Sequence, residues 1–332
     1  MTNKEQYIAW VATQHSLPIF MQPWWLDAVC AGKEWDVILV DSEELTADSE
    51  QKTATSSKNI VAAMPFLLRK KWWMKWIAVP QLTQICGLWL DEEREFTPEE
   101  LTTICTKVNS ELETLKLHYY YQQFPVNSPC PKEMEALGFK VKERVTYRIN
   151  DLSDLDRVIE GFSKNKKRQL QKALSLHAEG NMTAEEFYFF HQQCLAAKKK
   201  TISYSREFLL VLEQKLRHHK QSQILTIRNA DKQIYAAALL VWDEKQMYYL
   251  IPAINPTYKE SGAGALLVLE ALKSAREKGV KFDFEGSMIR GVAQHYKQFG
   301  STPHKYYSVE KYYKWGFRFA LLWNWICSRK FR

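Results

Sequence analysis

Three groups of residues in this 332-residue chain could carry chemistry. The first is Lys259-Glu260-Ser261-Gly262-Ala263-Gly264, set between a strand-like run (Gln246–Pro252) and a helix-like one starting at Ala263. Glycines let backbone approach a ligand, and a helix start offers unpaired N–H groups and the positive end of its dipole. That combination suits a phosphate or pyrophosphate; the bland alternative is a glycine-rich helix entry with no ligand. It is not a P-loop, since GxxxxGK[ST] is absent, and Leu267 breaks the dinucleotide pattern GxGxxG. The second group is Asp283 and Glu285, two apart in KFDFE. Strand alternation puts both on one face, with Phe282 and Phe284 toward the core. Two close carboxylates share a proton and raise one pKa, which makes a base. The alternative is that they cap Gly286-Ser287 or the following helix, or bond basic neighbours. The third is the run Lys164, Lys166, Lys167, Arg168 and Lys172. At helical spacing Lys164, Lys167 or Arg168, and Lys172 share a face that could grip phosphates, unless it is only a solvated face.

Other chemistries lack their residues. The six cysteines are widely spaced, with no CxxC and no HExxH, so no metal site is expected and the thiols read as reduced and buried. No Ser or Cys stands with a histidine at recognisable spacing. His295 reads as a packing or solvent-facing residue, and Lys198-Lys199-Lys200 as a charged helix end.

These residues need elements to hold them. In the first half, helices are expected at Pro23–Gly32, from the Thr97-Pro98-Glu99-Glu100 capping box to about Lys116, and at Glu133–Leu137. Strands are expected at Trp35–Val40, Ile60–Leu68, Leu117–Phe124 and Phe139–Asn150, with a loop over the polar stretch between the first two. Asp151–Leu155 reads as a boundary. Beyond it come the basic helix Phe162–Leu176, a helix from the Thr183 capping box to about Lys199, and a helix at Ser205–Lys220. Strands follow at Ile224–Arg228, Gln233–Trp242 and Gln246–Pro252. Then come helix Ala263–Lys278 with an apolar stripe of Leu266, Leu269, Leu272 and Ala275, strand Lys281–Glu285, short helix Gly291–Phe299 and strand His304–Val309. The alternation predicts an α/β (α+β) protein of two units, 1–150 and 151–332, without a residue-level repeat.

Composition is that of a globular chain, 46% hydrophobic and 25% charged. The net charge of +8 divides into −4 over residues 1–150 and +12 over 151–332. An anionic ligand therefore belongs to the second half. No apolar run is long enough to span a membrane and the first residues lack signal-peptide order, so a soluble, cytoplasmic protein is expected. Two basic, aromatic segments, KWWMKW at 71–76 and the tail Lys311–Arg332, either pack back on the first unit or lie at the inner membrane surface.

The second half resembles the GCN5-related N-acyltransferase (GNAT) superfamily, whose Arg/Gln-x-x-Gly-x-Gly/Ala loop binds the pyrophosphate of coenzyme A. Here Lys259 replaces the Arg or Gln, while Gly262 and Gly264 match. The basic helix SKNKKRQLQKAL, the run GALLVLEALKSAREKGVKFDFEGS and the later HYKQFG are together similar to Fem-type (FemAB-like) peptidyltransferases over about 161–310. The resemblance implies tandem GNAT-like units with mixed sheets flanked by helices. It implies acyl transfer to an amine, from aminoacyl-tRNA onto a cell-wall precursor or from acyl-CoA. It puts Lys297 on the carbonyl where charge develops, Tyr296 in the aromatic place before it, and the donor against Lys259, Gly262, Ala263 and Gly264. Lys164, Lys167 and Arg168 would bind substrate. A protein that kept the fold only to bind RNA or a membrane surface is the remaining alternative.

Overall fold

The computed structural model describes residues 1–13, 17–30, 32–45, 59–286, 288–314 and 316–317. The polar stretch over 46–58, Ser287, Cys327 and the tail from 318 lie outside them. The described chain forms two compact units: residues 1–15 and 20–143 with the return from Lys305, and residues 16–19 with 144–304.

In the first unit, α1 (Asn3–Val11) and α2 (Pro23–Val29) precede β1 (Trp35–Asp41), β2 (Ile60–Lys71), β3 (Met74–Ile77) and β4 (Trp89–Leu90). Then come α3 (Pro98–Thr114), β5 (Tyr119–Gln123) and α4 (Pro131–Ala136), and β6 (Lys140–Ile149) carries the chain onward. The second unit holds α5 (Leu155–Glu160), α6 (Lys164–Lys172), β7 (His177–Glu179), α7 (Ala184–Ala196), α8 (Arg206–His218), β8 (Ser222–Arg228), β9 (Ile234–Trp242) and β10 (Gln246–Ile254). It closes with α9 (Ala263–Glu277), β11 (Lys281–Asp283) and α10 (Arg290–Lys297), after which β12 (Thr302–Tyr312) returns to the first unit.

Both units are built on one plan. β1, β2 and β3 pair antiparallel, α3 follows, and β5 joins β3 in parallel. β8, β9 and β10 likewise pair antiparallel, α9 follows, and β11 joins β10 in parallel. The duplication that no residue repeat reveals is thus visible in the strand order. Each mixed sheet has its own core, one around Met64, Ile104, Val108 and Tyr120 and the other around Leu240, Met247, Val268 and Phe282.

Local chemistry starts the helices. Thr97 with Glu100 and Thr183 with Glu186 form reciprocal capping boxes, and Thr2 with Glu5 forms a third that the sequence reading passes over. The basic helix is shorter than expected, with α5 standing before it on an Asp154 cap. The buried stripe of α9 is Leu267, Val268, Ala271, Leu272 and Ala275, whereas Leu266 and Leu269 are half-buried. That helix is apolar around more than half its girth, so spacing alone fits two stripes and packing against β8–β10 selects one. The segment 71–76 is a tight hairpin between β2 and β3. Among the described residues no helix is long and apolar enough to cross a membrane.

Candidate active site

β10 and β11 run parallel but pair over only three residues, Gln246–Tyr248 against Lys281–Asp283. A register shift in β10 between Tyr248 and Ile251 turns the strand away, and Pro252 has no N–H to offer a neighbour. The strands part at Tyr249 on one side and Phe284 on the other. A cavity of about 590 Å³ lies at this end of the second unit, roofed by α6 and α10 and floored by β10 and the start of α9.

Its charge is one-sided. Lys166, Lys198 and Lys259 line it, together with Gly262, Gly264 and Ala265 at the start of α9, and among the described residues no carboxylate does. Gly262 is the helix N-cap, left-handed at φ +84°, and its side chain position is filled: a Cβ would stand 1.9 Å from the Gln169 carbonyl oxygen. The packing of α6 and the left-handed φ by themselves require glycine at 262. At Gly264 there is room instead: a Cβ would meet only Ile254, at 3.5 Å.

Lys166 is the central cation. It is only 2% exposed, although its neighbours Lys164, Lys167 and Arg168 are exposed and stand outside the cavity lining. Its ammonium donates to Gln169 Oε1 at 3.2 Å and to His295 Nδ1 at 3.1 Å, and lies over the Phe299 ring. Burial lowers it to about 8, and burial together with Lys166 lowers His295 to about 4, which leaves that imidazole neutral as the acceptor. The shared basic face of Lys164, Lys167 and Arg168 misses this residue. The signal was present: Lys166 sits one helical turn from both Phe162 and Leu170, on the apolar stripe of the helix. Lys198, read as part of a charged helix end, also faces the cavity.

The two carboxylates have separated roles. Asp283 is fully buried and accepts from Thr146 Oγ1, from Arg148 Nε at 2.7 Å and from the Glu285 amide at 2.8 Å. It is a satisfied anchor rather than a free base. β11 ends at Asp283, so the same-face expectation fails at Glu285, which takes φ +54°. Gly286 allows that turn to press on β6, where a Cβ would stand 1.9 Å from the Val145 carbonyl oxygen. The Glu285 side chain is half-buried, but its Oε1 is enclosed without a hydrogen-bond partner. Burial first and Asp283 second raise its pKa well above the carboxylate range.

Tyr296 joins the two halves of the site. It lines the cavity, stacks on Phe284 at 4.7 Å, and is pushed up to about 12 by burial and then by Glu285 and Asp283. Lys297 follows it at the end of α10, exposed and outside the cavity lining, with its ammonium 5.8 Å from the Tyr147 ring. The described residues hold no cluster of metal-ligating side chains.

Residues 139–298 match the family model described as an acetyltransferase (GNAT) domain. No curated protein matches the chain. Among solved structures it is similar to FemX, with 13% identity and a TM-score of 0.64, covering 92% of this chain and 96% of that one. The C-terminal domain of a putative lysylphosphatidylglycerol synthetase from Agrobacterium fabrum aligns at 13% identity and TM-score 0.54, over 92% and 91% of the two chains. A tandem GNAT protein of the clavulanic acid biosynthesis pathway aligns at 12% and 0.50, over 93% and 94%. At such identities these likenesses establish the fold.

Proposed function

We propose that this chain, whose residues 139–298 match the acetyltransferase (GNAT) domain model, is an acyltransferase that moves an aminoacyl or acyl group from a polyanionic donor to an amine. The observation that carries this is the carboxylate-free cavity in which Lys166, Lys198 and Lys259 meet the start of α9. Lysines at the positive end of the α9 dipole suit the phosphates of a donor.

A GNAT domain implies an acyl-CoA donor as a class. The Fem-like reading, with aminoacyl-tRNA as donor and a cell-wall precursor as acceptor, is favoured by α6. That helix places Lys166 inside the cavity and leaves Lys164, Lys167 and Arg168 exposed outside it. A donor larger than the cavity would run over those exposed charges.

Transfer joins the acceptor nitrogen to the acyl carbon, breaks that carbon's bond to the donor's oxygen or sulfur, and releases a proton from the nitrogen. Glu285, which stands outside the cavity lining, takes the proton in its ionised form: its Oε1 has no hydrogen-bond partner, and its raised pKa makes that form a stronger base than an ordinary carboxylate. Asp283 is a positioning residue that holds the Glu285 amide while Arg148 and Thr146 hold it. Tyr296 walls the acyl group between donor and base. Lys297 steadies the charge that grows on the carbonyl oxygen.

Titration calorimetry tests the donor. Binding of aminoacyl-tRNA at low salt is expected; heat with acetyl-CoA alone moves the donor to coenzyme A, and heat with neither overturns the proposal. In the same preparation Lys297→Ala should lower turnover by roughly 10²-fold with donor affinity kept. Unchanged turnover removes Lys297 from the mechanism.

A further inference from the structure

The hairpin joining β2 to β3 in the first unit has a tip that nothing among the described residues explains. Lys71 and Met74 are cross-strand partners, so the connection is the two residues Trp72 and Trp73. Gly, Asn and Asp are the usual occupants of such a turn. Trp72 instead holds φ +54°, a costly conformation for a bulky side chain. Neither indole goes to the core: Trp72 is 78% and Trp73 75% exposed. The rings stack on each other at 5.9 Å and 26°, and the Lys71 ammonium lies 5.3 Å from the Trp72 ring centroid.

The stem below the tip adds a second cost. Lys70 and Lys75 are direct cross-strand partners, and like charges so placed repel. Among the described residues no carboxylate pairs with Lys70, Lys71 or Lys75. The hairpin therefore keeps two large indoles in water and concentrates positive charge beneath them. Both costs are relieved at one kind of surface. Tryptophan partitions to the headgroup level of a bilayer, where its ring is half in hydrocarbon and its N–H stays wet. Lysines just behind it meet the negative potential of anionic lipid.

We propose that Trp72 and Trp73 are an interfacial anchor that seats the protein on an anionic lipid surface, with Lys70, Lys71 and Lys75 supplying the charge attraction. A single two-indole tip gives reversible attachment rather than permanent insertion. This inference stands on the first unit's hairpin and is independent of the donor cavity.

The test is co-sedimentation of the whole chain with two kinds of vesicle, phosphatidylcholine alone and phosphatidylcholine with about one third phosphatidylglycerol. Binding is expected only to the second, with partitioning reduced about tenfold by Trp72→Ser/Trp73→Ser and similarly by Lys70→Gln/Lys71→Gln/Lys75→Gln. Bromine-labelled lipid tails should quench the wild-type fluorescence more than that of the tryptophan variant. The tip is exposed, so both variants should keep the wild-type melting temperature, and the tryptophan variant should keep its titration heat with aminoacyl-tRNA or acetyl-CoA. That heat separates failure here from failure of the donor site. Equal vesicle binding by wild type and variant overturns the anchor. So does absence of binding to the anionic vesicles, or loss of self-association in the variant without any vesicle binding by wild type.

Discussion

At Lys166 and Glu285 burial works against the ionised form of the side chain. Lys166 is lowered to about 8 in the folded chain against an ordinary 10.5, so at neutral pH its ammonium is held in a place that disfavours it. The sign follows: the fold is penalised below about 8, and the penalty fades as pH rises from there toward the unfolded value. Lys166→Met should therefore raise the melting temperature by a few degrees at pH 7 while weakening donor binding about tenfold or more. In the wild type, donor affinity should fall as pH rises through about 8, and the variant should lose that dependence; calorimetry over pH measures both. A lower melting temperature with unaltered affinity would make Lys166 a structural residue. Glu285 is shifted the other way, so its protonated form is favoured and stability is lost as pH rises through the raised value. Turnover should climb over the same range as the base form appears. Glu285→Gln should remove that climb and cost roughly 10²-fold or more in rate, with melting temperature kept or raised. A pH–rate profile that Glu285→Gln leaves in shape would assign the proton to another group.

At the scale of elements, α6, the loop before α9 and β10 are fitted to one another by missing side chains. The two glycines of the loop look alike in the sequence and differ in the fold. Gly262→Ala drives a Cβ into the Gln169 carbonyl at a left-handed φ, so α6 must lift. Its melting temperature and donor affinity should fall together. Gly264→Ala puts its methyl against Ile254 at ordinary contact distance, inside a helix where alanine is favoured over glycine. That variant should keep or gain stability and lose affinity, because the methyl occupies the cavity. Differential scanning calorimetry beside donor titration checks the pair; if both variants behave alike, the loop is not the ligand's seat.

For the molecule as a whole, the charge imbalance of −4 and +12 is the property that reaches farthest. A donor held by phosphates should bind with an affinity that falls as salt rises, and the logarithmic slope counts the phosphates engaged. A slope near that of two or three contacts describes the cavity lysines alone. A steeper one brings in Lys164, Lys167 and Arg168 on the outer face of α6. Binding that does not respond to salt would remove the electrostatic account of the site.

Local and periodic features of this protein are written in the sequence. The capping boxes at Thr97 and Thr183, the glycine that must start α9, the alternation of strands and helices and the gathering of positive charge in the second half follow from nearest neighbours or simple spacing. So do Lys259 and Gly264 of the loop that lines the cavity, whereas Tyr296 is marked only by the resemblance to Fem-type sequences. Three things needed the tertiary structure. Which lysine of α6 turns inward depended on what the helix packs against, because a basic residue on an apolar stripe reads as an outward charge until the stripe is buried. The division of Asp283 from Glu285 depended on Arg148 and Thr146, which lie more than a hundred residues away in sequence. The segment of Trp72 and Trp73 reads as packed back or as surface, since aromatic composition carries no direction; the pairing of β2 with β3 puts both at the exposed tip of a hairpin.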